Sequence, residues 1–584
     1  MNTASLTATS TATSTAPLKA RSGGQILVDA LHSQGAEIAF GVPGESYLAV
    51  LDALVDSDIR FITNRQEGGA AFMADAYGKM TGKPGICFVT RGPGATNASI
   101  GVHTAFQDST PMILFIGQVG GDFIEREAFQ EIDYRRMFGQ MAKWVAQIDR
   151  ADRIPEYVAR AFQVATSGRP GPVVLALPED MLTAMATVAD ARRYQPVQAA
   201  PSAAQMDQLQ KLLAQSSRPL VLLGGGDWNA AACADLRRFA EANRLPVACA
   251  FRFQDLFDNR HPNYIGDVGI GINPKLAKRI TESDLLIAIG PRLGEMTTGG
   301  YALIEAPVPK QTLVHIHTGA EELGRVYQAD LMINSGMSQI CAALAALPAL
   351  DASAWRASVN EARADYTAWQ AEPSLFKDNN APLNLWQVVQ QLKAALPSDT
   401  ILTNGAGNFA TWAHRYWHYG DAGGAFRTQL APTSGAMGYG LPAAIGAKII
   451  DPSRTVLNFA GDGDFMMNGQ ELATAVQYRA GGLFIVFNNG MFGTIRMHQE
   501  KTYPSRVSGT PLHNPDFAAL ARAYGAFGAV AQTTEEFTSV LPRALAHIAD
   551  TGLPALIELR YDANLITPGM TLEAMTRAAL AAGK

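Results

Sequence analysis

Residues 461–491 constrain this chain more than any other stretch. Gly461-Asp462-Gly463 is followed by 24 residues (464–487) and then by Asn488-Asn489-Gly490-Met491. Thr455-Val-Leu-Asn-Phe-Ala460 reads as a buried strand, the middle of 464–478 has helical spacing, and Leu483-Phe-Ile-Val-Phe487 reads as a second buried strand. The pattern predicts a βαβ unit with polar residues at the carboxyl ends of both strands, where open parallel sheets bind ligands. The glycines let backbone approach a phosphate closely. Asp462 offers a hard oxygen ligand, the Asn489 side-chain carbonyl a second, and the Met491 backbone carbonyl a third. Mg2+ takes few protein ligands and completes its shell with phosphate and water. Taken singly, Gly-Asp-Gly reads as a turn and Asn-Asn as a strand end; the spacing and the strand–helix–strand setting carry the chemistry.

At 584 residues the chain has room for three or four domains. Its 47 Lys and Arg stand against 53 Asp and Glu, a net charge of −6 with no basic stripe, so a nucleic-acid partner is not expected. No apolar run reaches the ~18–20 residues that span a bilayer, so no membrane partner is expected. Cys87, Cys233, Cys249 and Cys341 are scattered, without a CxxC pair or a disulfide framework, which fits a reducing cytoplasm.

Residues 1–22 are read as a Ser/Thr/Ala-rich disordered tail. The first domain, 23–190, alternates helices and short strands: Ile38-Ala-Phe40, Ile59-Arg-Phe-Ile62, Gly85-Ile-Cys-Phe-Val89, Pro111–Gly117 and the apolar run up to Pro178. Between them lie the loop Gly41–Ser46, the small-residue helix that Glu67 opens, and the Gly/Pro-rich turn Thr90–Asn97. A linker precedes the central domain, 200–350, with strands at Pro219–Leu223, Pro246–Cys249, Asp284–Gly290 and Leu313–His317. Its Gly224-Gly225-Gly226 lacks a GxGxxG fingerprint and reads at least as well as a tight turn, and His315 and His317 read as structural. A polar helical connection leads to the third domain, 380–565, and 566–584 reads as a helical tail. The alternation implies three doubly wound parallel-sheet α/β domains.

The 461–491 motif resembles that of thiamine-diphosphate (ThDP) enzymes. Four further stretches look like acetolactate-synthase-type members: Arg65-Gln-Glu67-Gly-Gly, Arg91-Gly-Pro-Gly-Ala-Thr-Asn97, Ala128-Phe-Gln-Glu131 and Gly435-Ala-Met-Gly-Tyr-Gly-Leu-Pro442. The resemblance implies pyrimidine-binding, central and diphosphate-binding domains in that order. It also implies a homodimer or homotetramer, with ThDP and Mg2+ held between two subunits. By resemblance Glu67 bonds N1′ of the pyrimidine and supports the imino tautomer that accepts the C2 proton, work that needs a carboxyl group in apolar surroundings. Met437 wedges the two rings into a V, while Gly435 and the Met437 backbone bond the pyrimidine. Gly405, Ala406, Gly407, Asn408, Gly463 and Asp464 hold the diphosphate, Thr90 adjoins the cofactor, and Asp462, Asn489 and Met491 hold the metal. Gln118 is carried over as a catalytic position.

The implied reaction is decarboxylation of a 2-oxo acid with carboligation to a second carbonyl. A 2-oxo acid decarboxylase or a 2-hydroxy ketone C–C lyase remains the alternative, and a non-catalytic ThDP-binding scaffold the remote one. Glu45, Arg91 and His498 depart from the family pattern and, with Phe129 and Gln130, mark a substrate pocket; Lys143 is read as near it. Gly266-Asp-Val-Gly-Ile-Gly271 stands where FAD-binding members have Gly-Met-His-Gly, which puts FAD in doubt.

Overall fold

The computed structural model describes residues 18–377, 382–420 and 426–583. Residues 1–17 of the expected N-terminal tail, 378–381 where the connection meets the third domain, 421–425 of the third domain and 584 of the expected C-terminal tail lie outside them.

In the first domain β1 is Arg21–Ser22, β2 Ile38–Gly41, β3 Arg60–Thr63, β4 Gly85–Val89, β5 Met112–Gln118, β6 Trp144–Gln147, β7 Pro172–Pro178 and β8 Met185–Ala186. The central domain has β9 Pro219–Leu223, β10 Val247–Ala250, β11 Tyr264–Val268, β12 Leu285–Ile289, β13 Thr312–His317 and β14 Leu331–Asn334. The third has β15 Ile401–Asn404, β16 Gln429–Leu430, β17 Val456–Gly461, β18 Leu483–Asn488, β19 Phe527–Ala531 and β20 Ala555–Arg560. Three parallel six-stranded sheets result, ordered β3-β2-β4-β5-β7-β6, β11-β10-β9-β12-β13-β14 and β16-β15-β17-β18-β20-β19. The first and third share one strand order, and the central sheet has the order 3-2-1-4-5-6 of dinucleotide-binding folds.

The winding of the three sheets reverses between β2 and β4, β9 and β12, and β15 and β17, and in the first and third it turns back again at the edge pairs β7-β6 and β20-β19. The loops leaving the first three of these pairs diverge and open a crevice, so the topology alone marks three places for a ligand. The central strands are continuous Val/Ile/Leu/Phe runs because helices cover both faces.

Three sequence expectations change. Arg21 and Ser22 are not tail: they pair antiparallel with Ala186 and Met185, and Ser22 caps the helix Gly23–Ser33. The Gly/Pro-rich stretch after Thr90 is already helical from Gly92, because a proline in the first helical turn lacks only an N–H that has no intrahelical partner there. The C-terminal helix Leu572–Ala581 is not free: Ile566, Leu572 and Met575 pack with Met491 and Met497, and Thr576 donates to Glu500 at 2.7 Å.

The first and third domains meet through the helices Glu67–Thr81 and Gly440–Ile450, close enough that a Cβ on Gly446 would lie 3.3 Å from Met73. A buried polar knot joins them: Lys79 pairs with Asp75 (2.9 Å) and Asp108 (2.5 Å), and the Tyr439 hydroxyl donates to Asp75 (2.8 Å). Among the described residues the four cysteines are free, and no helix is long and apolar enough to cross a membrane.

Candidate active site

The third domain's crevice, at the ends of β15 and β17, is a cavity of about 230 Å3. Its floor is Ala406–Phe409 and Gly461–Asp464; Gly435 and Met437 form one side, and Asn489, Met491 and the start of the helix Gly493–Thr502 the other. Two glycines are dictated by geometry. A Cβ on Gly405 would lie 2.0 Å from the Asp464 carboxylate, and Gly435 has φ +69° with open space where a side chain would project. The backbone here is thus bare toward the cavity, as close approach to a phosphate requires.

Asp462 is 3% exposed, and burial pushes its carboxyl above the ordinary range. It is nevertheless well anchored: Oδ1 accepts from Gly463 N at 2.9 Å, and Oδ2 from Gly490 N at 2.9 Å and Asn514 Nδ2 at 2.7 Å. Asn514 also donates to Asn488 Oδ1 (3.0 Å), and Asn488 Nδ2 donates to Glu558 (2.7 Å). A buried carboxylate supported only by neutral donors favours a cation beside it. Among the described residues no three His, Cys, Asp or Glu side chains converge, so a metal here would have Asp462 as its carboxylate and take other oxygens from amide, backbone and ligand. Asp464, with its carboxyl raised to about 7 by burial, accepts from Ala406 N (3.0 Å) and Gly438 N (2.9 Å). Asn408 reaches the roof, where Thr494 donates to its Oδ1 at 3.0 Å.

The first domain's crevice lies between the loops after β2 and β4. Ser46 and Thr90 hydroxyls are 3.0 Å apart, and a Cβ on Gly117 would meet Ser46 Oγ at 2.0 Å, so the ends of β2, β4 and β5 converge. Glu67 opens the helix Glu67–Thr81, with Gln66 as its cap. Its Oε2 accepts from Asn97 Nδ2 at 2.9 Å, and its Oε1 would lie 3.5 Å from a Cβ on Gly94. The backbone before it is fixed from the third domain: buried Glu471 accepts from Arg65 N and Gln66 N, both at 2.9 Å. Glu67 does not line the cavity of its own chain.

The comparisons come to bear on this arrangement. Residues 21–137, 206–344 and 405–559 match the N-terminal TPP binding, central and C-terminal TPP binding domains of the thiamine pyrophosphate enzymes. A probable acetolactate synthase large subunit of Methanocaldococcus jannaschii is 33% identical over 568 residues, covering 94% of each chain. The acetolactate synthase isozyme 2 large subunit of Escherichia coli K12 is 32% identical, over 87% of this chain and 90% of its own. The acetolactate synthase large subunit of Lactococcus lactis is also 32% identical, over 87% and 88%.

The chain belongs to the thiamine pyrophosphate enzymes.

It is an acetolactate-synthase-like, ThDP-dependent member, and the cavity at β15 and β17 lies within its C-terminal TPP binding domain. Gly407, Asn408, Gly463, Asp464, Gly435 and Met437 all line that cavity, together with Asp462, Asn489 and Met491. Several pocket residues are placed differently from expectation. Gln118 spends its amide on backbone, donating to Ile132 O and accepting from Val119 N (both 3.0 Å), so it anchors the loop carrying Phe129 and Gln130. Phe129 is 72% exposed, and Gln130 accepts from Gly92 N through its carbonyl. Arg91, 8% exposed, pairs with Glu179 and lies 3.7 Å from exposed Glu45. His498 is exposed on the roof helix Gly493–Thr502. Lys143 is remote from the pocket: its ammonium, pushed down to about 8 by burial, donates to Val164 O (2.5 Å) and Ser167 O (2.8 Å). Sequence reasoning missed Glu179, Asn514 and Glu471, which act across the fold and carry no local signature.

In the central crevice, between β9 and β12, Trp228 is buried and donates to Gly224 O at 2.8 Å. A Cβ on Gly290 would meet Trp228 Nε1 and Met337 Sδ, both at 3.2 Å. Beyond β13, buried Glu322 takes Arg169 (2.6 Å), Arg325 (2.8 Å) and Arg292 (3.4 Å). His315 and His317 bond the carbonyls of Pro291 and Gly319, and burial holds both below the usual histidine range.

Proposed function

We propose that this chain catalyses ThDP- and Mg2+-dependent decarboxylation of a 2-oxo acid with carboligation to a second carbonyl. The observation carrying this reading is the meeting of Ala406–Asn408, Asp462–Asp464, Asn489 and Met491 around one cavity where the third sheet's winding reverses between β15 and β17. When bound, ThDP supplies the electron sink for loss of CO2. The chain's own residues bind and orient. Asp462, the Asn489 amide oxygen and the Met491 carbonyl hold Mg2+; backbone groups of 405–408 and 463–464 hold the diphosphate. Gly435 and Met437 support the rings from one side.

Glu67 holds a proton at N1′ of the pyrimidine, coming from a second copy of the chain in a homodimer or homotetramer. Two features support that. Glu67 lies outside its own chain's cavity, and both halves of the site carry exposed apolar side chains, Leu48, Ile100 and Phe123 on the first domain and Met466, Met467 and Ile495 on the third. Substrate contacts fall to Glu45, Arg91, Phe129, Gln130 and His498, with Thr90 beside the cofactor. A cytoplasmic location is consistent with the four free cysteines.

FAD has no place in this reading: Gly266-Asp-Val-Gly-Ile-Gly271 stands where FAD-binding members have Gly-Met-His-Gly.

The test is CO2 release and product analysis over a panel of 2-oxo acids with ThDP and Mg2+, with and without aldehyde acceptors. The expected result is ThDP-dependent CO2 release with a 2-hydroxy ketone or 2-hydroxy-3-oxo acid product. Release with only the free aldehyde as product would favour the decarboxylase reading, and no turnover of any 2-oxo acid would overturn both.

A further inference from the structure

We propose that Arg252 of the central domain is a positioning residue for the cofactor, holding from one side two loops that Asp464 holds from the other. The inference rests on the cofactor reading above and adds a residue from a domain with no other part in it.

Arg252 follows β10 in the left-handed region, at φ +66°. A non-glycine residue stays there only when its surroundings over-determine it, and such residues cluster at functional sites. Its side chain is 7% exposed and crosses into the third domain. There Nη2 donates to Gly405 O at 2.9 Å and Nη1 donates to Pro432 O. The Gly405 carbonyl and the Ala406 N–H belong to one peptide unit. Arg252 takes its oxygen, and Asp464 Oδ1 takes its N–H at 3.0 Å. That peptide is therefore pinned at both ends.

The second loop is held in the same way. Pro432 O accepts from Arg252 and also from Gly435 N (3.0 Å), closing the turn that sets Gly435 at φ +69°. Six residues on from Pro432, Gly438 N donates to Asp464 Oδ1 at 2.9 Å. One cation and one carboxylate thus fix the relative placement of 405–408, the diphosphate loop, and 435–437, the ring-supporting loop. A guanidinium suits the task because its planar fork presents two N–H groups at a fixed spacing, whereas a lysine ammonium is a point donor. The Nε of Arg252 has no hydrogen-bond partner among the described residues, and the carboxylates of Asp108 and Asp464 offset its buried charge.

The competing explanation is that Arg252 merely joins two domains. Gln254, two residues on, provides the control. It bonds His414 O (2.8 Å) and Gln429 (3.0 Å) across the same join without touching the 405 or 432 carbonyls. The experiment measures the ThDP dissociation constant, with Mg2+ present, and the thermal midpoint for wild type, Arg252→Met, Arg252→Lys and Gln254→Ala. Arg252→Met is expected to weaken ThDP binding by about tenfold or more, and Arg252→Lys to recover part of that loss. Gln254→Ala is expected to lower the midpoint while leaving ThDP affinity within about twofold. Wild-type affinity in Arg252→Met, or a loss in Gln254→Ala as large as in Arg252→Met, would overturn the proposal. If Arg252→Met does not fold, Arg252→Lys decides: unchanged ThDP affinity there overturns it. Failure of the wild type itself to bind ThDP would instead remove the cofactor assignment on which the proposal stands.

Discussion

Glu67 is held by an amide donor from Asn97 and has its preceding backbone fixed by Glu471, so its position is set by neutral groups and by the fold. Glu67→Gln keeps the bond from Asn97 through its amide oxygen and loses the titratable proton. The expected outcome is ThDP affinity within a few-fold of wild type and turnover reduced by roughly 10²–10⁴, measured as steady-state CO2 release at saturating ThDP. At this scale the sequence shows a residue when its chemistry is local. Asp462 and Asn489 stand out because oxygen-bearing side chains suited to a metal cluster within one βαβ unit. Asn514 and Glu471 do not, because each acts on a partner far along the chain: Asn514 on Asp462, and Glu471 on the backbone 406 residues before it. Gln118 misleads for the opposite reason: a polar residue at a strand's carboxyl end looks free for a ligand, yet here backbone groups consume its amide.

The helices obey the packing that their small residues announce. A Cβ on Gly101 would lie 2.3 Å from the Ala71 Cβ, so the helix Gly92–Asp108 and the Glu67 helix touch along their backbones. Gly101→Val is therefore expected to destabilise the chain by about 1–3 kcal/mol through overpacking, read as a fall in the urea midpoint, and to shift Glu67 with its helix. The strands show where sequence patterning ends. Central strands such as β4, β12 and β18 are unbroken apolar runs and are legible. The strands that patterning passes over, β6, β11, β14, β16 and β19, are all sheet edges. An edge strand has one neighbour and weaker cover, so it keeps polar residues: Gln147 in β6, Asp267 in β11, Gln429 in β16, and an alternating buried and half-buried face in β14.

Over the whole molecule, one winding plan is used twice for the two cofactor halves, and a different plan serves the domain between them. The central domain contributes through its joins. Gln254, Asp255 and Asn259 bond the third domain at His414, Thr428 and Tyr419. At that join His414 is buried against Phe251 and Arg252, with its pKa pushed down to about 3, first by burial and then by the arginine. The unfolded chain binds a proton at this histidine below pH ~6.5 and the folded chain does not, so its contribution to stability is present above that pH and is lost as pH falls toward 3. Other buried groups titrate in the same range, so the comparison that isolates His414 is with His414→Gln. The variant is expected to cost more stability at pH 7.5 than at pH 5, measured by urea unfolding at both; an equal cost at the two values would remove His414 as a pH-linked group.

The domain order and the βαβ motif were legible because they repeat local physics. The proposal that a site is shared between copies came from the family resemblance, since a single chain's pattern does not show which surfaces meet. The measurement that reaches this claim is subunit complementation. Glu67→Gln and Asp462→Ala proteins, each inactive alone, are mixed, allowed to exchange subunits, and assayed for ThDP-dependent CO2 release. A site built from Glu67 of one copy and Asp462 of another leaves one intact site in each mixed dimer, so the mixture should regain roughly a quarter of wild-type activity. A mixture that exchanges subunits yet stays as inactive as its parents would contradict the shared site and place Glu67 and Asp462 of one copy in the same site.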